Sequence, residues 1–525
     1  MATSSPGTRG AQRASLGSNA PSQVAIDRLV GSVAWAARRA KRPPAAPATV
    51  LPAAATSHTT APQGRDNMVS HLPAVPHPLS HKRCQGWRRP LQFRPGPASM
   101  RGHLILEPVS SLVMRILVIA PVAPLDARPP YGGAETRVRE LSTRLSRSHE
   151  IAVVALSGDK RSTGLAGSPS EAGPGLSVTI VPRTKSRVAA VSQCLLSGTS
   201  LYAQLYRSPE FASAVSHHLT SGEFDLVQCE FPYMARYCLD LRVPWILVEH
   251  NIEFALSESL REARPGAFGL PYRLYAGRET RKRRGEEIEA CRAASAVVVM
   301  SEPDRSSLLS VAPGLRVSVV PNGVDLDFYQ PSEVPASAGR SARPTAVFIG
   351  RMDYRPNIDG ARWFCNDVLP LIRRRIPDLT LWIVGAAPHP AVLSLGTLPG
   401  VQVTGEVPDT RPFLTRASVV VVPLLAGSGT RLKILEAFAI GRPVVTTTIG
   451  YQGIAATPGE HLLVADSPEG FAETVVGLVE SPQEQRRLAL AARELAEQRY
   501  GWESSARLME RVYTEVLAQS ASSSS

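Results

Sequence analysis

Short, uninterrupted runs of apolar residues recur along the chain from residue 114 onward, and segments with helical periodicity separate them. Such runs are typical of strands buried on both faces of a parallel sheet, and the intervening segments of crossover helices. The first half predicts strands at Arg115–Ala120, Ile151–Leu156, Ser177–Val181, Asp225–Cys229, Trp245–Glu249 and Ala296–Met300. The second half predicts strands at Thr345–Gly350, Leu379–Gly385, Val401–Val407, Ser418–Leu424, Pro443–Thr448 and His461–Asp466. The pattern predicts an α/β protein with two Rossmann-like, doubly wound domains that face a central cleft.

The same pattern divides the chain into segments. Residues 1–113 are rich in Pro, Ala, Ser and Arg without a sustained period, which predicts a disordered basic extension. Residues 114–325 form a first domain, 326–344 a linker and 345–499 a second domain, and 500–519 a final helix that crosses back to the first domain. Met114, directly before the first strand, is a candidate for the true start of the protein. A transit peptide is the rival hypothesis, because the extension is rich in Arg and poor in acids.

Charge and cysteine usage exclude several classes of protein. The extension carries +11 of the net charge of +13, so the rest of the chain is close to neutral. This argues against a nucleic-acid-binding domain, which would show a basic surface. The six cysteines are scattered and form no CxxC pair, which indicates free thiols in a reducing cytoplasm and neither a disulfide framework nor a zinc site. No apolar run reaches the ~18–20 residues that a membrane span needs.

The most informative segment is Gly427–Glu436, which follows an apolar strand and opens a helix. Glycines between a strand and a helix leave backbone N–H groups free at the positive end of the helix dipole, where a phosphate or a polar sugar binds well. Lys433 and Glu436 are three residues apart and therefore share a helix face. One can meet an anion while the other accepts hydrogen bonds from hydroxyl groups, a combination that fits a sugar nucleotide. The alternative is a solvent-exposed ion pair.

Taken together, the motifs along the chain resemble a retaining glycosyltransferase of family 4, with the two-domain GT-B fold. Each motif is weak alone, and their order and spacing over most of residues 114–517 carry the resemblance. The motifs are Tyr131–Glu135, Val248–Asn251, Ser301–Asp304, Val320–Asp325, Gly350–Asp353, Val403–Asp409 and Lys433–Glu436.

The resemblance implies transfer of a sugar from a nucleotide-diphosphate donor with retention at the anomeric carbon, and with no metal and no other cofactor. It implies that Arg351 and Lys433 stabilise the diphosphate and that Glu436 accepts hydrogen bonds from the ribose hydroxyls. The remaining expected donor-binding residues are Gly350, Ser428, Gly429 and Thr430. Arg351 could instead pair with a nearby aspartate.

The sequence departs from the family pattern at two places. Ser428 stands where the family has a Glu that holds the donor sugar, and Arg355–Asn357 occupies the region of a second basic residue. Lys433 is the candidate to replace that missing charge. Both departures put the identity of the donor sugar in doubt and leave the expected fold unchanged.

In the first domain, Gly132 and Gly133 are expected to let the backbone approach the donor phosphate or the acceptor closely. By resemblance His250 faces the cleft with a catalytic role at the donor sugar or the acceptor hydroxyl, and Glu230 lines the acceptor side. The alternatives are a tight turn for the glycine pair and a structural role for the histidine.

The expected partners are a nucleotide sugar and a glycan, lipid-linked or small-molecule acceptor, as in polysaccharide biosynthesis, and no nucleic acid. A cytoplasmic location, with peripheral contact at the inner membrane face, is an expectation from the resemblance. Two other functions stay open: a non-catalytic sugar-nucleotide-binding protein, favoured by Ser428, and a sugar-nucleotide epimerase on the same fold. An epimerase needs further acids in the cleft, for which Glu230, Glu249 and Glu253 are the plausible positions.

Overall fold

The computed structural model describes residues 113–122, 133–157, 170–183, 187–255, 270–331, 343–427 and 429–524. All but the last residue of the predicted extension lies outside these ranges, as do Gly132 and Ser428. Within them the five cysteines are buried free thiols, and no helix is both long and apolar enough to cross a membrane.

The described elements alternate between strands and helices. In the first half they are β1 (Arg115–Ala120), α1 (Gly133–Leu145), β2 (Glu150–Ser157), β3 (Ser170–Gly173), β4 (Leu176–Pro182), α2 (Arg187–Leu196), α3 (Leu201–Leu205), α4 (Pro209–Ser221), β5 (Leu226–Glu230), a 3-10 helix (Pro232–Tyr237), β6 (Trp245–Glu249), α5 (Leu270–Ala293), β7 (Ala296–Val299), α6 (Glu302–Val311) and β8 (Val317–Val319).

The second half repeats the alternation. Its elements are β9 (Thr345–Ile349), α7 (Arg355–Trp363), a π-helical turn (Phe364–Val368), α8 (Leu369–Arg373), β10 (Thr380–Val384), α9 (Pro390–Leu393), a 3-10 helix (Ser394–Thr397), β11 (Val401–Gly405), α10 (Arg411–Arg416), β12 (Val419–Val422), α11 (Leu432–Ala439), β13 (Val444–Thr446), β14 (Leu463–Val464), α12 (Pro468–Glu480), α13 (Pro482–Arg499) and α14 (Trp502–Ser524).

The strands form two sheets. The first has the order β3-β4-β2-β1-β5-β6-β7-β8 and is parallel except for the β3–β4 pair, and the second is parallel throughout with the order β11-β10-β9-β12-β13-β14. In both sheets the strand order reverses around the first strand, as doubly wound sheets require, so ligands are expected at the carboxyl ends of the strands. The predicted fold class, two parallel-sheet α/β domains, is confirmed.

Strand β1 shows why the apolar runs become central strands. Leu117 and Ile119 pack into the core on one side of the sheet, while Ile116 and Val118 pack on the other side. Fully burying a side chain of this size contributes about 1.5–3 kcal/mol, so a strand that is apolar on both faces is stable only between two helical layers. Helices α1 and α14 supply one of these layers.

Serine caps set the starts of several helices. Ser208, Ser301 and Ser467 precede α4, α6 and α12, and each hydroxyl accepts a hydrogen bond from a backbone N–H group in the first turn. A proline follows in the first turn of each helix, where the missing N–H group costs nothing.

The chain crosses between the domains twice, and the two crossings pair with each other. The amide of Val324 donates to the carbonyl of Tyr500 at 2.6 Å, and Val324 forms a parallel bridge with Gly501. Gly323 lies so close to Trp502 that a Cβ atom would be 2.7–2.9 Å from its atoms. Helix α14 then begins at Trp502 and packs on the first sheet, so the crossing is held by a short, tightly packed pair of segments.

Candidate functional site

Lys433 reaches from helix α11 to the end of strand β9. Its Nζ atom donates a hydrogen bond to Oδ1 of Asn357 at 2.8 Å and lies 4.5 Å from the centroid of the Phe348 ring. A Cβ atom on Gly350 would lie 2.8 Å from the same Nζ atom, so only glycine lets the ammonium group come this near the strand end. The arrangement places a positive charge beside the carboxyl end of the first strand of the second sheet.

Glu436 follows Lys433 after three residues on the same face of α11. Burial is the main reason that the pKa of Lys433 is lowered to about 7; Arg431 acts in the same direction and Glu436 opposes it. Burial likewise raises the pKa of Glu436 to about 7, against a hydrogen bond from Tyr329 and the charge of Lys433. Both side chains therefore change charge near neutral pH, where small changes in their surroundings decide their protonation.

Arg351 stands one residue beyond Gly350 and pairs with Asp353. Its Nε and Nη2 atoms donate to the two carboxylate oxygens at 3.2 and 2.8 Å, and its carbonyl accepts a hydrogen bond from Nδ2 of Asn357 at 2.8 Å. Burial would lower the pKa of Arg351, but the bonds to Asp353 outweigh it and the pKa is raised. The Arg351 side chain is 29% exposed, so it is partly accessible to a ligand.

The glycine-rich loop before α11 is held from within by a buried arginine. Arg431 is the N-cap residue of α11, and its Nη1 atom donates to the carbonyl of Gly429 at 2.8 Å. The hydroxyl oxygen of Thr430 is buried and has no hydrogen-bond partner among the described residues. This hydroxyl is available to hydrogen-bond a ligand at the loop. Ser428, the other hydroxyl of this loop, lies outside the described residues.

The loop of the second domain touches the first domain. Gly429 has a φ of +78°, and a Cβ atom there would lie 2.3 Å from Oδ1 of Asn251 and 3.0 Å from the carbonyl oxygen of His250. A Cβ on Gly133, the first residue of α1, would lie 3.6 Å from Cδ1 of Leu432, the first residue of α11. The amino-terminal ends of two helices, one from each domain, therefore meet at the site. Gly132, the partner of Gly133 in the motif, lies outside the described residues.

His250 follows strand β6 and is held by Glu230, the last residue of β5, and by Phe231, the residue after it. Its Nε2 atom lies 2.5 Å from Oε2 of Glu230, and its ring stacks on that of Phe231 with centroids 4.1 Å apart and planes 12° apart. Glu230 is fully buried, so it contacts the histidine and does not present an open surface to an acceptor.

The residues predicted from the sequence separate into two groups. The second domain carries Gly350, Arg351, Lys433 and Glu436. The first domain carries His250 and Glu230. The two groups come together where Gly429 of the second domain lies against the backbone of His250. Sequence reasoning did not find the side chains that hold these groups in place. They are Asn357, Tyr329, Arg431 and Phe231. Only Arg431 had a local signal, its position between the glycine-rich loop and the helix.

Metal ligands form no cluster in the described parts of the chain: no group of three or more His, Cys, Asp or Glu side chains is arranged to hold an ion. The positive charge at the site comes from Lys433, Arg351 and Arg431.

Two family sequence models match this chain. Glycosyltransferase Family 4 matches residues 131–328, which include Gly133, Glu230 and His250, and Glycosyl transferases group 1 matches residues 343–481, which include the Lys433–Glu436 helix. The two matches follow each other along the chain and correspond to the two sheets.

Individual relatives agree with these matches. A phosphatidyl-myo-inositol mannosyltransferase of Mycobacterium leprae is 29% identical over 203 residues, 38% of this chain and 53% of the relative. The chain thus spans about half the length of the curated relatives that it matches.

Solved structures show the same fold at lower identity. The sucrose-phosphate synthase of Thermosynechococcus elongatus has a TM-score of 0.59 and 19% identity, with 77% of this chain and 100% of that chain covered. HepE of Anabaena, solved with UDP and glucose, has a TM-score of 0.52 and 17% identity, with coverages of 76% and 99%. This chain belongs to the family 4 glycosyltransferases and has their two-domain GT-B fold.

Proposed function

We propose that this protein transfers a sugar from a nucleotide-diphosphate sugar to a hydroxyl group of an acceptor, with retention of the anomeric configuration. The observation that carries the proposal is the position of Lys433, whose ammonium group is held by Asn357 against the end of β9, with Glu436 on the same helix face. A cation and a hydrogen-bond acceptor at this spacing match the diphosphate and the ribose of one ligand.

The diphosphate is the leaving group, and its negative charge grows as the glycosidic bond breaks. Preorganised cations and backbone dipoles stabilise such charge strongly because they need no reorganisation during the reaction. Lys433 supplies one cation and Arg351 a second. The facing amino-terminal ends of α1 and α11 add the positive ends of two helix dipoles.

Lys433 also accounts for the departure from the family pattern near Arg355. The family has a basic residue in that region, whereas here Asn357 occupies it and accepts a hydrogen bond from Lys433. The positive charge thus comes from helix α11 and is brought to the same strand end. This supports an intact diphosphate subsite.

Glu436 is suited to the nucleoside side of the ligand. As a carboxylate it accepts hydrogen bonds, and the two ribose hydroxyls are donors. Tyr329 hydrogen-bonds the same carboxylate and limits its orientation. The unpartnered hydroxyl of Thr430 is left for a phosphate or for the donor sugar.

The acceptor enters from the first domain, where His250 touches the glycine-rich loop through its backbone. The mannosyltransferase relative acts, by its name, on phosphatidyl-myo-inositol, and HepE was solved with UDP and glucose. UDP-glucose is therefore the first donor to test, and a glycan or lipid-linked hydroxyl is the acceptor class to test. A cytoplasmic location with peripheral membrane contact stays a prediction from the resemblance.

Ser428 favours one rival function, donor binding without turnover, because it replaces the family's sugar-holding Glu. An epimerase is less well supported by the described residues. Glu230 is engaged by His250, and Glu249 is buried at 1% exposure.

The test uses the full-length protein with a panel of UDP-, GDP-, ADP- and TDP-sugars in EDTA. Binding is followed by thermal shift and turnover by nucleotide release. One donor should stabilise the protein saturably and be consumed. Glu436→Gln should weaken its binding about tenfold to a hundredfold, since a hydrogen bond to a charged group contributes about 1.5–3 kcal/mol.

Glu480→Gln is the matched control. The Glu480 side chain is 50% exposed, and it forms a 3.3 Å ion pair with Arg375 on the same domain, away from the Lys433–Glu436 helix face. It should bind the donor as the wild type does. Binding without consumption would support the non-catalytic rival, and no binding by any donor would overturn the proposal.

A further inference from the structure

The imidazole of His250 is held on its edge and on its face by two consecutive residues. Glu230 lies 2.5 Å from the Nε2 atom, and Phe231 stacks on the ring at 4.1 Å. Glu230 ends β5 and Phe231 directly follows it, and β5 pairs with β6, the strand that leads to His250. The histidine is therefore fixed in position and in ring plane by the sheet itself.

Phe231 adopts a backbone conformation that is rare for a side-chain-bearing residue. Its φ is +71° and its ψ is 142°, a region used almost only by glycine. Such strain costs of order 1–3 kcal/mol and persists where the surrounding structure imposes it, often at functional sites. At Phe231 the unusual turn is what brings the ring parallel to His250.

A chain of buried hydrogen bonds continues from Glu230 to the last helix. The side-chain amide of Gln228 donates to Oε1 of Glu230, and the hydroxyl of Tyr513 on α14 donates to Oε1 of Gln228. All of these side chains are buried: Tyr513 and Glu230 at 0% exposure, Gln228 at 3% and His250 at 7%. Because each group in the chain hydrogen-bonds the next, the orientation of one constrains the orientation of its neighbour.

A buried arginine interacts electrostatically with Glu230. Arg137 is fully buried, and its Nη1 atom donates to Oδ1 of Asn322 at 2.9 Å and to the carbonyl of Pro321 at 3.1 Å. Burial lowers the pKa of Arg137 to about 10, and the charge of Glu230 opposes that loss. The guanidinium thus stays protonated at neutral pH, and its nearby counter-charge is the Glu230 carboxylate.

We propose that Tyr513, Gln228, Glu230 and Phe231 act as positioning residues for His250. In this arrangement Glu230 accepts the Nε2–H of His250, which holds the tautomer that carries its proton on Nε2. A ring fixed in this tautomer and plane keeps one orientation beside the glycine-rich loop that the His250 backbone touches. The last link, Tyr513, lies on the helix that follows the crossing from the second domain, so α14 contributes to the site from the far side of the sheet.

The effect of these residues on catalysis rests on the proposed function. One of the two experiments therefore measures the tautomer of His250 and does not need enzymatic activity. The full chain is labelled with ¹⁵N-histidine, and the ring nitrogens of His250 are identified by their loss in His250→Gln. The wild type should show a protonated Nε2 atom and an unprotonated Nδ1 atom. Glu230→Gln should give a mixture of tautomers, and Tyr513→Phe should move the same resonances in the same direction by less.

Tyr500→Phe is the matched control. Tyr500 is buried at 3% exposure, and its hydroxyl accepts a hydrogen bond from the Ala455 amide at 2.7 Å, outside the chain that leads to His250. It should lose stability as Tyr513→Phe does and leave the His250 resonances unchanged.

In the kinetic arm, Glu230→Gln should lower kcat about tenfold to a hundredfold, as for other partners that orient a histidine. Tyr513→Phe should lower it about twofold to tenfold, the effect of one hydrogen bond. KM for the donor should change little in both, because the chain lies on the acceptor side.

His250 resonances that are unchanged in Tyr513→Phe would overturn the proposal, even if activity falls, because the loss would then reflect packing alone. Tyr513→Phe removes one oxygen atom and carries the test if Glu230→Gln does not fold. Tautomer changes in a protein that transfers no sugar would support the positioning chain and refute the proposed function.

Discussion

Binding of a nucleotide sugar should be coupled to protonation, and the sign of the coupling should reverse near pH 7. In the free protein the pKa of Lys433 is lowered to about 7 and that of Glu436 is raised to about 7, in each case mainly by burial. A diphosphate beside Lys433 favours its charged form, so binding raises that pKa. Ribose hydroxyls that donate to Glu436 favour the carboxylate, so binding lowers that pKa.

The size of the effect follows from these values. At about pH 8, Lys433 is about one-tenth protonated and takes up about 0.9 proton, while Glu436 is mostly ionised and releases about 0.1, for a net uptake of about 0.8. At about pH 6, Lys433 takes up about 0.1 proton and Glu436 releases about 0.9, for a net release of about 0.8. Affinity should therefore be highest near pH 7 and fall about threefold over the first pH unit on either side and about eightfold over the next.

Titration calorimetry in pairs of buffers with different ionisation enthalpies measures these protons directly. A nucleotide-diphosphate sugar is the right ligand, because its diphosphate is doubly esterified and keeps its charge over this range. Lys433→Met should lose the uptake at the higher pH and keep the release at the lower one, and Glu436→Gln should do the reverse. Glu480→Gln should keep both.

The reasoning would be refuted by proton uptake of the same sign at both pH values. Uptake that persists in Lys433→Met would show that another group carries it and that Lys433 does not meet the diphosphate.

Three further substitutions test the backbone of the site and its supports. Gly429→Ala should lower the free energy of unfolding by about 1–2 kcal/mol, because the position has a positive φ. It should also lower turnover, because the new methyl group would lie 2.3 Å from Oδ1 of Asn251. Wild-type kinetics would contradict this. Gly323→Ala should destabilise the protein by about 1–3 kcal/mol by overpacking against Trp502, and an unchanged thermal midpoint would argue against tight pairing of the crossings. Phe231→Gly should be more stable than Phe231→Ala by about 1–3 kcal/mol, the reverse of the usual order, and the usual order in thermal melts would show that the position is unstrained.

The strands of this protein could be predicted because most of them are buried on both faces. Each apolar run, such as Arg115–Ala120 or Trp245–Glu249, became a strand within a few residues of the expected bounds. Two strands were not predicted. Ser170–Gly173 and Val317–Val319 lie at the edges of the first sheet, where the described residues supply no neighbouring strand on one side and the sequence is short or polar.

The site could be predicted only as far as its residues lie close together in sequence. Lys433 and Glu436 were found because a glycine-rich loop precedes their helix. The support for His250 was not found, because Tyr513 and Gln228 are 285 positions apart and neither has a local pattern that indicates a partner. The strain at Phe231 was hidden as well, since a positive φ at a non-glycine residue is imposed by tertiary packing.

The central claim, that the site transfers a sugar from a nucleotide donor with retention, is tested most directly by following one reaction by proton NMR. The full-length protein is incubated in EDTA with the donor that it binds and an acceptor hydroxyl, and the anomeric proton of the glycoside product is recorded. The account predicts a product with the anomeric configuration of the donor, and no such product from Lys433→Met. A product of the opposite configuration, or a donor that is bound and never consumed, would contradict it.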